Sequence, residues 1–154
     1  MESLTNRSAV AVSSCTAALH MACYTSGVGR GDEVIVPALT FVATANSVLY
    51  TGAYVVFADI KSETDWNIDP ADVESKITAR SKALIVVHYA GYPCDMKSIL
   101  YICKKYGLTL IEDCAHAIGS YYNGKHVGVF GRYGCFSFYG NKNVTCAEGG
   151  IILA

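Results

Sequence analysis

Lys142 stands alone between an aromatic stretch, Phe136-Ser-Phe-Tyr-Gly-Asn141, and a run of mostly small residues, Asn143-Val-Thr-Cys-Ala-Glu-Gly-Gly150. A lysine amine becomes a Schiff-base nucleophile where apolar surroundings favour its neutral form; a lysine on an exposed turn is the commoner fate of a single lysine. Asp113 closes the apolar run Leu110-Ile-Glu-Asp113, and Glu112 beside it points to the opposite side of the pleat. One of the two carboxylates faces covered space, where it needs a cation or hydrogen-bond donors. Capping of the turn Cys114-Ala-His116 is an equally open reading of Asp113. Ser13-Ser-Cys-Thr16 joins a strand to a helix, so free N–H groups and hydroxyls there would face an anion, with phosphate the natural guest. An ordinary Ser or Thr cap accounts for the same residues.

Other chemistries find less support. The histidines, His20, His88, His116 and His126, lack metal-ligand spacing, so no metal site is expected. His88 and His116 fall at or just after strand ends, where they could line one cleft. Seven cysteines are an odd number with no C-x-x-C pair, and most lie in apolar runs, which reads as small buried side chains rather than disulfides or zinc ligands. Gly27-Val-Gly-Arg-Gly31 follows a helix and precedes a strand, the reverse of a dinucleotide-binding loop.

The elements that must position these groups alternate along the chain. Ala9–Ser13, Glu33–Pro37, Tyr54–Ile60, Lys82–Tyr89, Leu108–Asp113, Gly134–Tyr139 and Gly150–Ala154 read as strands. Thr16–Cys23, Val42–Tyr50, Ala71–Ile77 and Asp95–Tyr106 read as helices. Pro70 suits the first position of its helix. Met96, Ile99, Leu100 and Cys103 form one apolar face, and Gly107 stops that helix. Apolar strands alternating with helices over short connections indicate an α/β fold, a mostly parallel sheet covered by helices on both faces.

Of the 154 residues, 52% are hydrophobic and 16% charged, with 12 basic against 13 acidic side chains and a net charge of −1. That balance supports a single folded domain and argues against nucleic-acid partners. No apolar stretch approaches the ~18 residues of a membrane span, and the start lacks a signal-peptide pattern, so no membrane association and a cytoplasmic location are expected. The last apolar strand runs straight into the chain end, as if a further domain followed.

Four ordered motifs then carry a family resemblance: Ser14-Cys-Thr-Ala-Ala-Leu19; Pro37-Ala-Leu-Thr-Phe-Val-Ala-Thr-Ala-Asn46; Ile111-Glu-Asp-Cys-Ala-His-Ala117; and Phe136-Ser-Phe-Tyr-Gly-Asn-Lys-Asn143 with Glu148-Gly-Gly150. The sequence resembles the pyridoxal-phosphate-dependent nucleotide-sugar aminotransferases of the DegT/StrS group. The resemblance implies a truncated large domain of a fold-type I enzyme over residues 1–154, with the C-terminal small domain absent. It implies that Lys142 forms the Schiff base with pyridoxal 5'-phosphate and that Asp113 pairs with the pyridine nitrogen. Phe41 would stack on the ring, His116 would lie near the ring hydroxyl, and Cys15, Thr16, Ala17 and Ser137 would cradle the phosphate. Cys15 stands where many relatives have glycine. The implied partners are a nucleotide-sugar substrate, an amino donor such as glutamate and a second copy in a homodimer. A non-catalytic or regulatory relative, or an inactive fragment, is the alternative; a dehydratase relative would carry histidine in place of Lys142.

Overall fold

Continuous apolar runs become strands buried on both faces, and they set the frame of the computed structural model, which describes residues 1–154. In chain order the elements are α1 (Glu2–Thr5), β1 (Ala9–Val12), α2 (Cys15–Thr25), β2 (Glu33–Pro37), α3 (Val42–Leu49), β3 (Tyr54–Ala58), β4 (Ile60–Ser62) and β5 (Asp65–Ile68). There follow α4 (Pro70–Ser75), β6 (Ser81–Val87), a single 3-10 turn at Tyr89–Gly91, α5 (Met96–Tyr106), β7 (Thr109–Asp113), β8 (Tyr121–Tyr122), β9 (Lys125–His126), β10 (Tyr133–Ser137) and β11 (Gly150–Leu153). No helix is long and apolar enough to cross a membrane.

Seven strands form the main sheet in the order β1-β11-β10-β7-β6-β2-β3. From β10 to β3 every pairing is parallel. β11 runs antiparallel to both of its neighbours. An apolar run has no intrinsic direction, so the sequence pattern alone did not assign this reversal.

Period-two alternation sorts the side chains into two cores. Val34, Val36, Ala83, Ile85 and Ile111 face one side, under Ala18, Leu19, Ala22 and Cys23 of α2 and Val48 of α3. Ile35, Leu84, Val86 and Leu110 face the other, under Val73 of α4 and Met96, Ile99, Ile102 and Cys103 of α5. α2 begins because Ser14 is extended and its hydroxyl accepts the Ala17 N–H at 3.1 Å. α5 begins on Asp95, which accepts from Ser98 N–H, and ends where Gly107 turns left-handed at φ 69°.

Two hairpins lie outside the main sheet, β4–β5 and β8–β9. The second turns on Asn123 (φ 49°) and Gly124 (φ 77°), the left-handed pair that a tight hairpin requires. All seven cysteines are free thiols, and all but Cys146 are buried, as the apolar setting of most of them predicts.

Candidate active site

Parallel strands gather their carboxyl ends along one sheet edge, where an open α/β sheet binds ligands. The register aligns Val87 of β6, Asp113 of β7 and Cys135 of β10 in one row. Above that row opens a cleft of about 610 Å³. Cys15, Thr16, Phe41, Asp113, His116, Ser137 and Lys142 all line it.

Asp113 forms its floor. It shares a face with Ile111, turned toward α2 and α3, and is almost fully buried. Its carboxylate accepts from the Ala115 N–H at 3.1 Å and the Thr44 hydroxyl at 2.9 Å, with the Cys15 thiol 3.9 Å away. No lysine, arginine or histidine forms an ion pair with it. Burial pushes its pKa up from the ordinary 3.8, against the pull of those donors and of the more distant His116 and His88.

Lys142 enters from the opposite wall, on the loop after β10, where its N–H bonds to the Tyr139 carbonyl at 2.9 Å. Its side chain is half-buried and bonds to no protein acceptor. Its charge reaches two neighbours. The Cys15 thiol is driven up chiefly by burial and then by Asp113, while Lys142 pulls it back. His116, on the rim, is lowered first by partial burial and then by Lys142, with Asp113 opposing. Lys142 thus sits on a partly exposed turn that also lines the cleft.

The first turn of α2 forms another wall. The N–H groups of Cys15 and Thr16 precede the helix's own hydrogen-bond ladder, and the Thr16 and Ser137 side chains open on the same space. β11 can approach because residue 150 is glycine: a Cβ there would lie 2.5 Å from the Ser14 carbonyl carbon. Phe41, at the cap of α3, is 72% exposed at the cleft mouth.

Two sequence expectations are corrected. Ala17 does not line the cleft, because the cap has already engaged its N–H on Ser14 Oγ. His88 does not line it either. It follows Val87 on the opposite side of the chain, fully buried, with Nε2 3.0 Å from Glu112 Oε2 and Nδ1 accepting the Cys94 N–H at 3.1 Å. Glu112 is the second buried carboxylate. It accepts the N–H groups of Gly128, Phe130 and Gly131, each at 2.7 Å, as well as His88. His88, Glu112 and Cys114 lie close enough to suggest a metal cluster. Both imidazole nitrogens and both carboxylate oxygens are already spent on protein partners, so the cluster holds a loop instead.

Sequence reasoning missed Thr44, whose role on Asp113 depends on how α3 packs over β7, and Tyr89, which also lines the cleft. The Thr44 signal lay inside the Pro37–Asn46 motif.

A mostly parallel α/β sheet, with a buried carboxylate at a central strand end and a lysine across the cleft, has the aspartate-aminotransferase-type fold. The chain belongs to the DegT/DnrJ/EryC1/StrS aminotransferase family, whose model matches residues 1–154. It is 49% identical over 145 residues to the GDP-perosamine synthase of Escherichia coli O157:H7, covering 94% of this chain and 40% of that protein. The crystal structure of an aminotransferase from Psychrobacter cryohalolentis superposes with a TM-score of 0.96 at 39% identity, covering 99% of this chain and 39% of the other. A Streptococcus pneumoniae protein described as a sugar aminotransferase, solved in its PLP form, gives 0.92 at 33% identity over 99% of this chain and 43% of its own. The chain thus spans about 40% of the length of the relatives it matches.

Proposed function

We propose that residues 1–154 are the cofactor-binding large domain of a cytoplasmic, pyridoxal-phosphate-dependent aminotransferase that moves an amino group from glutamate to a keto-sugar carried on a nucleotide. The observation that carries this reading is Asp113: a buried carboxylate with hydrogen-bond donors but no paired cation, opening on the same cleft as Lys142. Such a group is destabilised until a cationic donor meets it. A protonated pyridine nitrogen is that donor, so the residues present fit pyridoxal phosphate. The names of the relatives favour the same cofactor and, through GDP-perosamine synthase, the same substrate class.

When bound, the cofactor supplies an electron sink for the carbon that loses its proton. Asp113 holds the proton on the ring nitrogen and so keeps that sink open. Thr44 and the Ala115 N–H fix the carboxylate orientation. Lys142 Nζ is the covalent anchor and the base that takes and returns the proton at the reacting carbon. The N–H groups of Cys15 and Thr16, with the Thr16 and Ser137 hydroxyls, bind the phosphate at the start of α2. Phe41, at the cleft mouth, would cover a ring face and exclude water there. His116 offers a hydrogen bond to the ring hydroxyl. Lowering of its pKa keeps the imidazole neutral near pH 7.

A homodimer completes the site in this reading. Phe41 at the cleft mouth, Val42, Leu49 and Tyr50 along and beside α3, and Tyr54 at the amino end of the edge strand β3 are large exposed apolar groups, and a second copy would cover them.

The test is labelling. Incubation with pyridoxal phosphate followed by borohydride should fix one cofactor per chain, mapped by mass spectrometry to the peptide containing Lys142. Label on another lysine, or label retained by Lys142→Ala, rejects the assignment.

A further inference from the structure

Beside the cleft lies a second cavity of about 550 Å³ whose walls include Asp65, Trp66, Asn67, Tyr89, Tyr92 and Pro93. Trp66 is the chain's only tryptophan and stays 50% exposed, while its indole N–H is fixed on the Glu63 carbonyl at 2.9 Å. Tyr92 is 74% exposed. Tyr89 stands between the two spaces: its ring meets Trp66 edge-on at 5.5 Å and His116 edge-on at 6.1 Å. It lines both cavities. Ala90 lines this groove and also the recess beside Lys142 and His116, so the groove and the cleft share the Tyr89–Ala90 wall.

The loop that makes this partition is held rigidly. Asn67 Oδ1 accepts the Tyr89 N–H at 3.1 Å, and its Nδ2 donates to the Pro93 carbonyl at 3.2 Å. Ser120 donates to the Gly91 carbonyl at 2.8 Å. Ala90 is held left-handed at φ 51°, a conformation that costs a residue with a Cβ and persists only where its surroundings impose it. Nothing in the proposed mechanism uses Trp66 or Tyr92, and neither is needed to bury a core.

The groove has no lysine or arginine in its walls, and the nearby Lys61 is paired with Asp65 at 3.5 Å. It is therefore not built for phosphate. Exposed aromatic rings suit a flat heterocycle, stacking being worth a substantial share of nucleobase binding. The Asp65 carboxylate retains acceptor capacity for ring N–H groups.

We propose that this groove takes the base of the nucleotide half of the substrate, with the sugar half passing Tyr89 toward Lys142. The proposal rests on the nucleotide-sugar reading above and adds the place where the nucleotide is recognised. Trp66 reports on it directly. The chain is titrated with GDP, with and without pyridoxal phosphate, while tryptophan emission is followed. GDP should quench it saturably, and inorganic diphosphate at equal concentration should not. Tyr92→Ala, at an exposed position, should keep the emission of the free protein and raise the GDP dissociation constant at least tenfold. Unchanged emission with GDP, equal quenching by diphosphate, or unaltered affinity in Tyr92→Ala overturns the proposal. Labelling of Lys142 separates the two readings: label without quenching rejects the groove alone, and quenching without label rejects the aminotransferase reading while leaving the base site standing.

Discussion

The Thr44 hydroxyl donates to Asp113 Oδ2 at 2.9 Å, across 69 positions of sequence and with both side chains buried. A hydroxyl has one proton to give, so the 2.7 Å contact between Thr40 and Thr44 must be donated by Thr40. The result is an ordered chain from the loop before α3 to the floor of the cleft. Thr44→Val keeps the shape and removes the donor. It should destabilise the chain by about 1.5–3 kcal/mol, the range for a hydrogen bond to a charged group, read from denaturant unfolding. Thr44→Ser should recover most of the loss.

Asp113→Asn should divide stability from function. The folded pKa of Asp113 is raised, so the folded state holds its proton more tightly than the unfolded chain does. The stability this group contributes is full below the unfolded value, near 3.8, and is lost as pH rises through the folded value. At pH 7 the ionised group opposes folding. The cofactor-free Asn variant should therefore melt at a higher temperature than the parent at pH 7, with the gain vanishing toward pH 4. In the complete holoenzyme the same change should lower turnover by about 10²–10⁴-fold, the scale of a lost proton-holding group. A lower melting temperature at pH 7, or near-parental turnover, contradicts the role.

Glu112, the other buried carboxylate, has hydrogen-bond donors on both of its oxygens. Three backbone N–H groups and His88 converge on it, and the Cys94 N–H on Nδ1 fixes the imidazole proton at Nε2. In Glu112→Gln an amide N–H must face one of those donors. We expect a loss of about 3–5 kcal/mol, the scale for breaking a buried charged network, measured by chemical denaturation. His88→Ala, which removes the partner, leaves the Cys94 N–H without its acceptor and opens a cavity where a fully buried ring stood, should cost at least as much.

Much of this architecture was legible in the sequence, and the gaps have physical causes. Glu33–Pro37 is a strand at the bounds its β-branched run suggests, since nothing competes with the sheet there. Asp113 and Lys142 were readable because their types are costly in apolar settings. The direction of β11 was not, as pairing is decided by tertiary contacts. His88 was misplaced by one step of pleat alternation, which exchanges cleft for core. Asn123-Gly124 is a strong hairpin signal that was passed over because strands of two residues carry no periodicity. Trp66 and Tyr92 meet Tyr89 only through the fold of the β4–β5 hairpin, of which the sequence pattern shows only Ile60, as the end of the strand Tyr54–Ile60.

The Glu148-Gly-Gly150 motif receives a steric explanation that can be tested without any assay of catalysis. A Cβ on Gly150 would stand 2.5 Å from the Ser14 carbonyl carbon and 2.7 Å from the Cys15 nitrogen, both backbone atoms that cannot rotate away. Gly150 also opens β11, pairing with Val12 on one side and Ser137 on the other, so the strand is tied on both edges. Gly150→Ala must then push α2 away from the sheet. That movement shifts the N–H groups of Cys15 and Thr16 relative to Ser137. Overpacking of this kind costs about 1–3 kcal/mol, and the melting temperature should fall accordingly. Affinity for inorganic phosphate, measured by competition against pyridoxal phosphate, should fall with it if the start of α2 is the anion site. Gly140→Ala is the control, because the nearest atom its Cβ would meet, the Ala147 carbonyl oxygen, lies at an ordinary 3.8 Å. Equal stability in the two variants would show that the close approach of β11 to α2 is not what the glycine provides.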